Sequence, residues 1–178
     1  MSKIEWAQAG IDPKRKYRFK MSFGNTGMQS YFVKTATVPK ANISTVEHSY
    51  FDYNFKFPGR VTWDPISVTM VAPANETNDP TSALYDVLLK SGYSFPDSDD
   101  ASTRSLSRTG FQRTAGFTDI NLNILDGQGA RTDSWVLKNC FLTNIDFGGS
   151  LDYTSDDLIE IAFEIVFDWA ERNNKRSA

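Results

Sequence analysis

The sequence predicts a mainly β protein, an antiparallel β-barrel or sandwich with one flanking α-helix and a long polar loop. The main observation is the segment 153–171, in which large apolar residues alternate with polar or small ones. The apolar set is Ile159, Ile161, Phe163, Ile165, Phe167 and Trp169. A period of two is typical of a strand with one buried face. The aromatic share of 13% also favours β structure and large interfaces.

Length and composition indicate one globular domain. In a chain of 178 residues we expect an N-terminal arm at 1–14, a single β domain at 15–171 and a polar C-terminal tail at 172–178. Hydrophobic residues make up 40% and charged residues 23%, as in ordinary soluble proteins. The net charge of −3 argues against a simple nucleic-acid-binding protein, which normally carries a basic excess. No segment has the apolar length of a signal peptide or a membrane helix, so membrane insertion is not expected.

Turn residues divide the chain into alternating segments. The predicted strands are 16–23, 28–38, 43–57, 61–71, 117–125, 134–147 and the terminal segment 153–171. The first two are expected to form a hairpin that turns at 24–27. The next two are expected to form a second hairpin that turns at 58–60, where proline and glycine are adjacent.

One helix is predicted between these strands. Asn78 or Asp79 can cap it, Pro80 can occupy its first turn, and Gly92 can end it. Its apolar stripe consists of Ala83, Leu84, Val87 and Leu88. The stretch 93–116 is rich in Ser, Asp, Thr and Gly, which predicts a long loop that is functional or mobile.

Residues that carry catalytic chemistry are scarce. His48 is the only histidine and Cys140 the only cysteine, so neither a zinc site of His and Cys nor an internal disulfide is expected. The sequence contains no nucleophile turn, phosphate loop or dinucleotide fingerprint. The acidic run 97–100 lacks the glycine and terminal glutamate of a calcium loop. We therefore expect no enzymatic activity, no metal site and no cofactor.

Aromatic residues are concentrated in the second predicted hairpin. A soluble monomer seldom exposes so large an apolar patch, so we expect these residues in an interface between subunits or rings. The candidate interface residues are Trp6 of the arm, Tyr50, Tyr53, Phe55, Phe57 and Trp63. The alternative is that these aromatics pack on their own sheet.

The basic run 14–20 interleaves cations with Tyr17 and Phe19. One interpretation is a surface that binds nucleic-acid phosphates. The favoured interpretation is a half-buried strand, because the aromatics and the cations fall on opposite faces. The basic face could also pair with an acidic face of a neighbouring subunit.

Three blocks of the sequence resemble the tail tube proteins of contractile-tailed, T4-like bacteriophages. The first block contains YRFKMSF and SYFVKTATVPK, within 17–40, and the second is YNFKFPGRVTWDPISVTMV, at 53–71. The third, at 135–171, runs from WVLKNCFLTNIDFGG to FDWAE. The blocks occur in the order of the family, whereas 93–116 matches poorly. Tube proteins of type VI secretion and other contractile injection systems are related to this family.

The resemblance implies a structural subunit that needs no catalytic residue and no cofactor. Such subunits form hexameric rings, which stack into a hollow tube inside a contractile sheath. The implied partners are other copies of the chain, the sheath protein, baseplate and tail-terminator proteins, and genomic DNA that passes without specific binding. The implied location is the phage tail, after assembly in the host cytoplasm. A baseplate-proximal ring, a secretion-system tube and a monomeric β-sandwich that binds a ligand remain alternatives.

The polar faces of two predicted strands supply candidate lumen residues. If the apolar residues of these strands face the core, the polar residues face the lumen or a neighbouring strand. The candidates are Asp119, Asn121, Asn123, Glu160 and Glu164. An acidic lumen would repel DNA phosphates, so that the genome slides rather than sticks.

Overall fold

Strands dominate the described residues, 13–74, 79–96 and 105–173, of the computed structural model. The strands are β1 (Phe19–Ser22), β2 (Val33–Ala36), β3 (Ala41–Tyr50), β4 (Tyr53–Trp63), β5 (Ile66–Val71), β6 (Asp119–Leu125), β7 (Arg131–Lys138), β8 (Phe141–Asp146), β9 (Glu160–Val166) and β10 (Trp169–Asn173). The α-helix is α1 (Pro80–Lys90). A short 3-10 helix lies at Ser30–Phe32 and a π-helical turn at Gly110–Thr114. The predicted fold class, mainly β with one main helix, is confirmed.

Two four-stranded antiparallel sheets enclose the core. Sheet A has the strand order β1-β6-β7-β10, and sheet B has the order β2-β5-β9-β8. The β3–β4 hairpin forms a separate two-stranded sheet. Across the described residues the sheets do not close into a barrel, so the sandwich is the correct one of the two predicted architectures.

The core lies between the inner faces of sheets A and B. Alternate residues of β5 and β9 supply it from sheet B, and alternate residues of β6 supply it from sheet A. The Phe23 and Phe163 rings meet there, with their centroids 5.8 Å apart. Burial of each large apolar side chain contributes about 1.5–3 kcal/mol. These contacts therefore hold the two sheets face to face.

Helix α1 begins where its sequence predicts. The backbone N–H of Thr81 donates a hydrogen bond to the Asp79 side chain at 3.0 Å, so Asp79 is the N-cap. Leu84 and Val87 are buried in the core, which confirms the predicted apolar stripe. Gly92 follows the last turn with a φ of 116°, a conformation that favours glycine.

The predicted opening hairpin is wrong. Strand β1 pairs with β6 and strand β2 pairs with β5, so the two segments belong to different sheets. The turn between them crosses from sheet A to sheet B, and its Asn25 N–H donates to the Gly116 carbonyl at 3.4 Å. Turn residues predict a reversal of the chain, but they do not specify which strand pairs with which.

The second predicted hairpin exists but turns at a different place. Strands β3 and β4 reverse at 51–52, so that Tyr50 lies opposite Tyr53. The predicted turn at 58–60 lies inside β4, where the register shifts opposite Ser44. Proline and glycine mark a β-bulge here rather than a turn. Strand β5, predicted as an arm of this hairpin, is instead an inner strand of sheet B.

Two other predicted strands are each interrupted by a corner. The segment 134–147 contains the end of β7 and all of β8, and the terminal segment contains all of β9 and the first three residues of β10. Strand β7 pairs with β10 in sheet A, and β8 pairs with β9 in sheet B. A single bent ribbon therefore contributes two strands to each sheet. The ends of the predicted alternation, Ile159 and Trp169, are consequently exposed.

Polar contacts hold the corner of this ribbon. Asn139 has a φ of 59°, and its side-chain amide donates to Asp168 at 2.8 Å. Arg108 pairs with the same carboxylate, and the Arg108 hydrogen bond is the main reason that the pKa of Asp168 is lowered. Bends of this kind allow strands to pass from one sheet of a sandwich to the other. Arg108 belongs to the predicted polar loop, whose acidic run 97–100 lies outside the described residues.

Candidate assembly surfaces

The outer part of the β3–β4 hairpin presents one aromatic face. Three cross-strand pairs form this aromatic face: Val46 with Phe57, His48 with Phe55, and Tyr50 with Tyr53. Tyr53 is 70% exposed and Phe55 is 50% exposed, so the other described residues leave the face largely uncovered. At the tip, Phe51 is 86% exposed and its ring centroid lies 4.7 Å from that of Tyr50.

The opposite face of the same hairpin is polar near the tip and apolar near the base. Lys56 and Glu47 form an ion pair on this face at 3.3 Å. The bulge adds one residue to β4, which brings Val61 opposite Ile43 on the side of Glu47. The Ser44 hydroxyl accepts a hydrogen bond from the Arg60 N–H at 2.8 Å and so stabilises the bulge. The hairpin therefore exposes apolar side chains on both of its faces.

Trp63 differs from the other candidate interface residues. It is half-buried at the base of the hairpin, and its ring centroid lies 5.9 Å from that of Phe167. It also packs against the core cluster, so it anchors the hairpin to the sandwich. Trp6, the other tryptophan among the candidate interface residues, lies outside the described residues.

The candidate lumen residues lie on two different outer faces. Asp119, Asn121 and Asn123 are on the outer face of sheet A, because their neighbours on β6 point into the core. Glu160 and Glu164 are on the outer face of sheet B for the same reason. The core separates these faces, so a single central channel can be lined by one of them but not by both.

Two of the three candidate carboxylates are neutralised by lysines. Lys138 contacts Asp119 at 2.6 Å, and this hydrogen bond raises the pKa of Lys138. Lys34 pairs with Glu160 across β5. Among the described residues no cation pairs with Glu164, so its charge on the sheet B face is uncompensated. On sheet A, the amide oxygen of Asn123 is buried without a hydrogen-bond partner in the described residues.

A buried carboxylate that no sequence pattern predicts ties the start of the domain to sheet A. Asp133 accepts two hydrogen bonds from the Arg172 guanidinium, at 2.8 and 2.9 Å, and a third from Lys14 at 2.8 Å. The Arg172 hydrogen bond, supported by Lys14, lowers the pKa of Asp133 to about 2. Asp133 is thus an ion-pair centre that joins three distant parts of the chain.

Other kinds of site receive no support from the described part of the chain. It contains no group of three or more His, Cys, Asp or Glu side chains arranged to hold a metal ion. None of its helices is long and apolar enough to cross a membrane. Cys140 is fully buried, and this burial raises the pKa of its thiol to about 12. Such a thiol is structural rather than nucleophilic.

Comparison with known proteins identifies the fold. No family model and no curated protein matches the sequence. A chain in the cryo-EM structure of the anti-feeding prophage cap, a tube-terminating cap, matches with 16% identity and a TM-score of 0.65, over 96% of this chain and 98% of that one. A chain of the PVC sheath/tube terminator, from an extracellular contractile injection system in its extended state, matches with 18% identity and a TM-score of 0.66, over 93% and 99% of the two chains.

A third solved structure is the PVC sheath–tube complex in the extended state. One of its chains has 18% identity and a TM-score of 0.64, over 97% of this chain and 99% of that chain. At identities this low, the matches show that the fold is similar and show nothing more. The coverage is nearly complete in both directions, so the whole domain is shared rather than one motif. The chain therefore has the fold found in tube and tube-terminator structures of contractile injection systems.

Proposed function

We propose that this chain is a non-enzymatic subunit of the inner tube of a contractile phage tail, in which hexameric rings stack into a hollow conduit for the genome. The observation that carries the proposal is the aromatic face of the β3–β4 hairpin, which its own domain leaves exposed. The shared fold supports it over nearly the full chain. Its partners would be the sheath, baseplate and terminator proteins, and its location the tail of a virion assembled in the host cytoplasm.

The edges that the two sheets leave among the described strands are consistent with a ring. Sheet A ends in β1 and β10, and sheet B ends in β2 and β8. Unpaired edges favour aggregation in a monomer, whereas a closed ring pairs each edge with a neighbour. Lateral pairing of sheets would thus build the wall of the tube.

The aromatic face would make the contact between stacked rings, together with the arm around Trp6. Buried aromatic residues commonly dominate such interfaces, and truncation of one can cost 2 kcal/mol or more. Every subunit of a symmetric ring contributes the same contact, so the effect is repeated around the ring. Loss of this face should therefore prevent stacking without unfolding the domain.

The outer face of sheet B would line the channel. Its central positions are small, with Ser67, Thr69 and Ala162 around the uncompensated Glu164. A smooth wall with fixed negative charge would repel DNA phosphates and allow sliding. The outer face of sheet A, with Asp119, Asn121 and Asn123, would then face away from the channel.

The test of assembly compares two variants of one hairpin. Tyr53, Phe55 and Phe57 are all replaced by serine in the first variant, and the control carries Glu47→Ser and Lys56→Ser on the polar face. We expect native circular dichroism from both, and tubes in negative-stain electron microscopy from the control and the wild type only. Long tubes from the triple variant would exclude the aromatic face as the stacking surface. A wild-type chain that stays monomeric in ultracentrifugation, even with baseplate seeds, would refute the tube function.

The solved structures that share this fold favour a second candidate, the tube of an extracellular contractile injection system. In this candidate the cargo would not be a genome. Particles carrying Glu160→Lys and Glu164→Lys distinguish the two. Fixed positive charge in the lumen attracts phosphates, so DNA ejection should slow, while the control Asn121→Lys on sheet A should not change it. The reverse result would place sheet A at the lumen. Unchanged DNA ejection in both, from tubes that assemble normally, would argue against a lumenal position of either face, whereas normally assembled tubes that carry no DNA would favour the second candidate.

A further inference from the structure

A groove with an apolar floor opens between edge strands β1 and β2. Its volume is about 360 Å³, and its floor includes Phe19, Val38 and Ile124. The rim is formed by the cationic segment just before β1, which contains Arg15 and Lys16. We name this cavity the basic groove. It combines apolar surface with positive charge, so a complementary ligand would be apolar and acidic.

The cations of the rim are not equivalent. Lys14 is held by Asp133 at 2.8 Å, and the Arg18 guanidinium lies over the Tyr17 ring at 5.5 Å. Arg15 and Lys16 are exposed, and neither forms an ion pair within the described residues. These two side chains are therefore available for an incoming carboxylate.

The loop between β8 and β9 has the complementary chemistry. In its segment 151–158, here the acidic loop, Leu151 is 82% exposed, Leu158 is 70% exposed and Tyr153 is fully exposed. The same segment carries three carboxylates, Asp152, Asp156 and Asp157. The acidic loop is thus a second apolar surface that the described part of its own chain leaves uncovered, and its charge is opposite to that of the groove.

Internal hydrogen bonds give the acidic loop a defined shape. The Asp152 carboxylate accepts from the Thr154 N–H at 2.9 Å, and the Ser155 hydroxyl donates to Asp157 at 2.8 Å. These contacts fix the turn that presents Tyr153 between the two leucines. A preshaped loop loses less conformational entropy when it docks.

The two surfaces lie at different ends of β2. The acidic loop leads into Glu160, which pairs with Lys34 near the start of β2. The basic groove is lined by Ala36 and Val38, at and beyond the end of β2. Contact between the loop of one copy and the groove of another is therefore heterologous, and such contacts generate rings when the rotation closes.

We propose that the acidic loop of one subunit docks in the basic groove of the next copy of this chain. Asp156 and Asp157 face Arg15 and Lys16 in this contact, and apolar side chains of the loop cover the floor of the groove. The inference rests on the proposed self-assembly and specifies which surfaces make it. It adds to edge pairing a contact that selects the correct neighbour by charge.

Charge reversal tests the pairing. A groove variant carries Arg15→Glu and Lys16→Glu, a loop variant carries Asp156→Lys and Asp157→Lys, and a third chain carries all four changes. We expect the critical concentration for ring formation, measured by sedimentation, to rise about tenfold or more in each double variant. The four-change chain should recover most of this loss, because both partners are reversed. A control with Asp86→Lys and Lys90→Glu on the exposed side of α1 should assemble like the wild type.

The outcomes separate this inference from the proposed function. Rings from the double variants at the wild-type concentration, or a four-change chain as defective as either double variant, would overturn the loop–groove contact alone. Absence of rings in the wild type would contradict the tube function and the contact with it. If the groove variant assembles normally but loses binding of a fluorescent oligonucleotide that the wild type retains, the groove serves nucleic acid, and the contact is wrong.

Discussion

Strands β9 and β4 carry equally regular apolar alternations, but their apolar faces have different environments. Ile161, Phe163 and Ile165 of β9 are buried in the core of the same chain. Tyr53 and Phe55 of β4 are half or more exposed. Alternation therefore shows that one face of a strand must be buried. It does not show whether the same chain or another subunit buries that face. For the uncovered face of β4, the proposed cover is another subunit of the tube.

The largest change in the free energy of unfolding is expected when the same truncation, phenylalanine to alanine, is compared in β9 and in β4. Phe163→Ala opens a cavity in the core and should lower the free energy of unfolding by about 3–5 kcal/mol. The matched control Phe55→Ala removes the same atoms from the hairpin and should change it by less than about 0.5 kcal/mol. Urea unfolding of dilute, unassembled protein measures both. Equal losses would mean that the hairpin face is covered within the monomer.

The second prediction concerns the ion-pair centre of the sandwich. The pKa of Asp133 is lowered to about 2 from an ordinary 3.8, so its stabilising effect is present above pH 4 and is lost as the pH falls towards 2. Asp133→Asn should cost roughly 2 kcal/mol at pH 7, and this difference from the wild type should shrink below pH 3. Unfolding at several pH values measures it, with Asp86→Asn on exposed α1 as the control. A difference that does not depend on pH would show that the carboxylate charge is not responsible.

The third prediction addresses the bulge that shapes the hairpin. A Cβ at Gly59 would collide with the Ser44 hydroxyl and would lie 3.0 Å from the Ser44 carbonyl oxygen. Gly59→Val should therefore open the bulge and reduce hydrogen-exchange protection of hairpin amides about tenfold, a local cost of about 1.4 kcal/mol. Global unfolding should change little, and Ser49→Ala on the same hairpin serves as the control. Unchanged protection would mean that the bulge tolerates a side chain.

The smallest change in monomer stability is expected at the tip of the β3–β4 hairpin, and this change should be stabilising. Phe51 has a φ of 50°, which is unfavourable for a bulky residue and suits glycine. Phe51→Gly should stabilise the monomer by a few tenths to about 1 kcal/mol, because relief of strain outweighs the added freedom of the unfolded chain. The same change should weaken tube formation in electron microscopy if the tip contacts the next ring. A loss of monomer stability would instead indicate that the contact between the Phe51 and Tyr50 rings outweighs the backbone strain.

The parts of the fold that depend on local pattern were predictable from sequence. Helix α1 follows from Asp79 and Pro80 at its start, and the buried faces of β5, β6 and β9 follow from alternation. The pairing of β1 and β2 was not predictable, because their partners are β6 and β5 rather than each other. The corner was missed because it depends on Asn139, Asp168 and Arg108, which meet only in the folded chain.

The candidate surfaces were also predictable from sequence only in part. Exposure of the aromatic face was expected from Tyr53, Phe55 and Phe57, since a hairpin has few residues to cover them. The separation of Asp119 from Glu164 on opposite faces required the sheet topology, which alternation within each strand cannot supply. The role of Asp133 was not predictable because its partners, Lys14 and Arg172, lie far away in sequence.

The long-range pairing of sheet B sets an order of events during folding. Ile66 of β5 pairs with Ile165 of β9, about a hundred residues later, whereas the β3–β4 hairpin pairs residues that are close in sequence. Hairpins form in about 1–10 μs, while distant strands close slowly because of the loop entropy.

The hairpin can therefore present its aromatic face before the sandwich beneath it exists. In that interval contacts between copies compete with folding of each copy. Recovery of native monomer after dilution from denaturant should fall as protein concentration rises, and the variant with serine at positions 53, 55 and 57 should refold with a higher yield than the wild type.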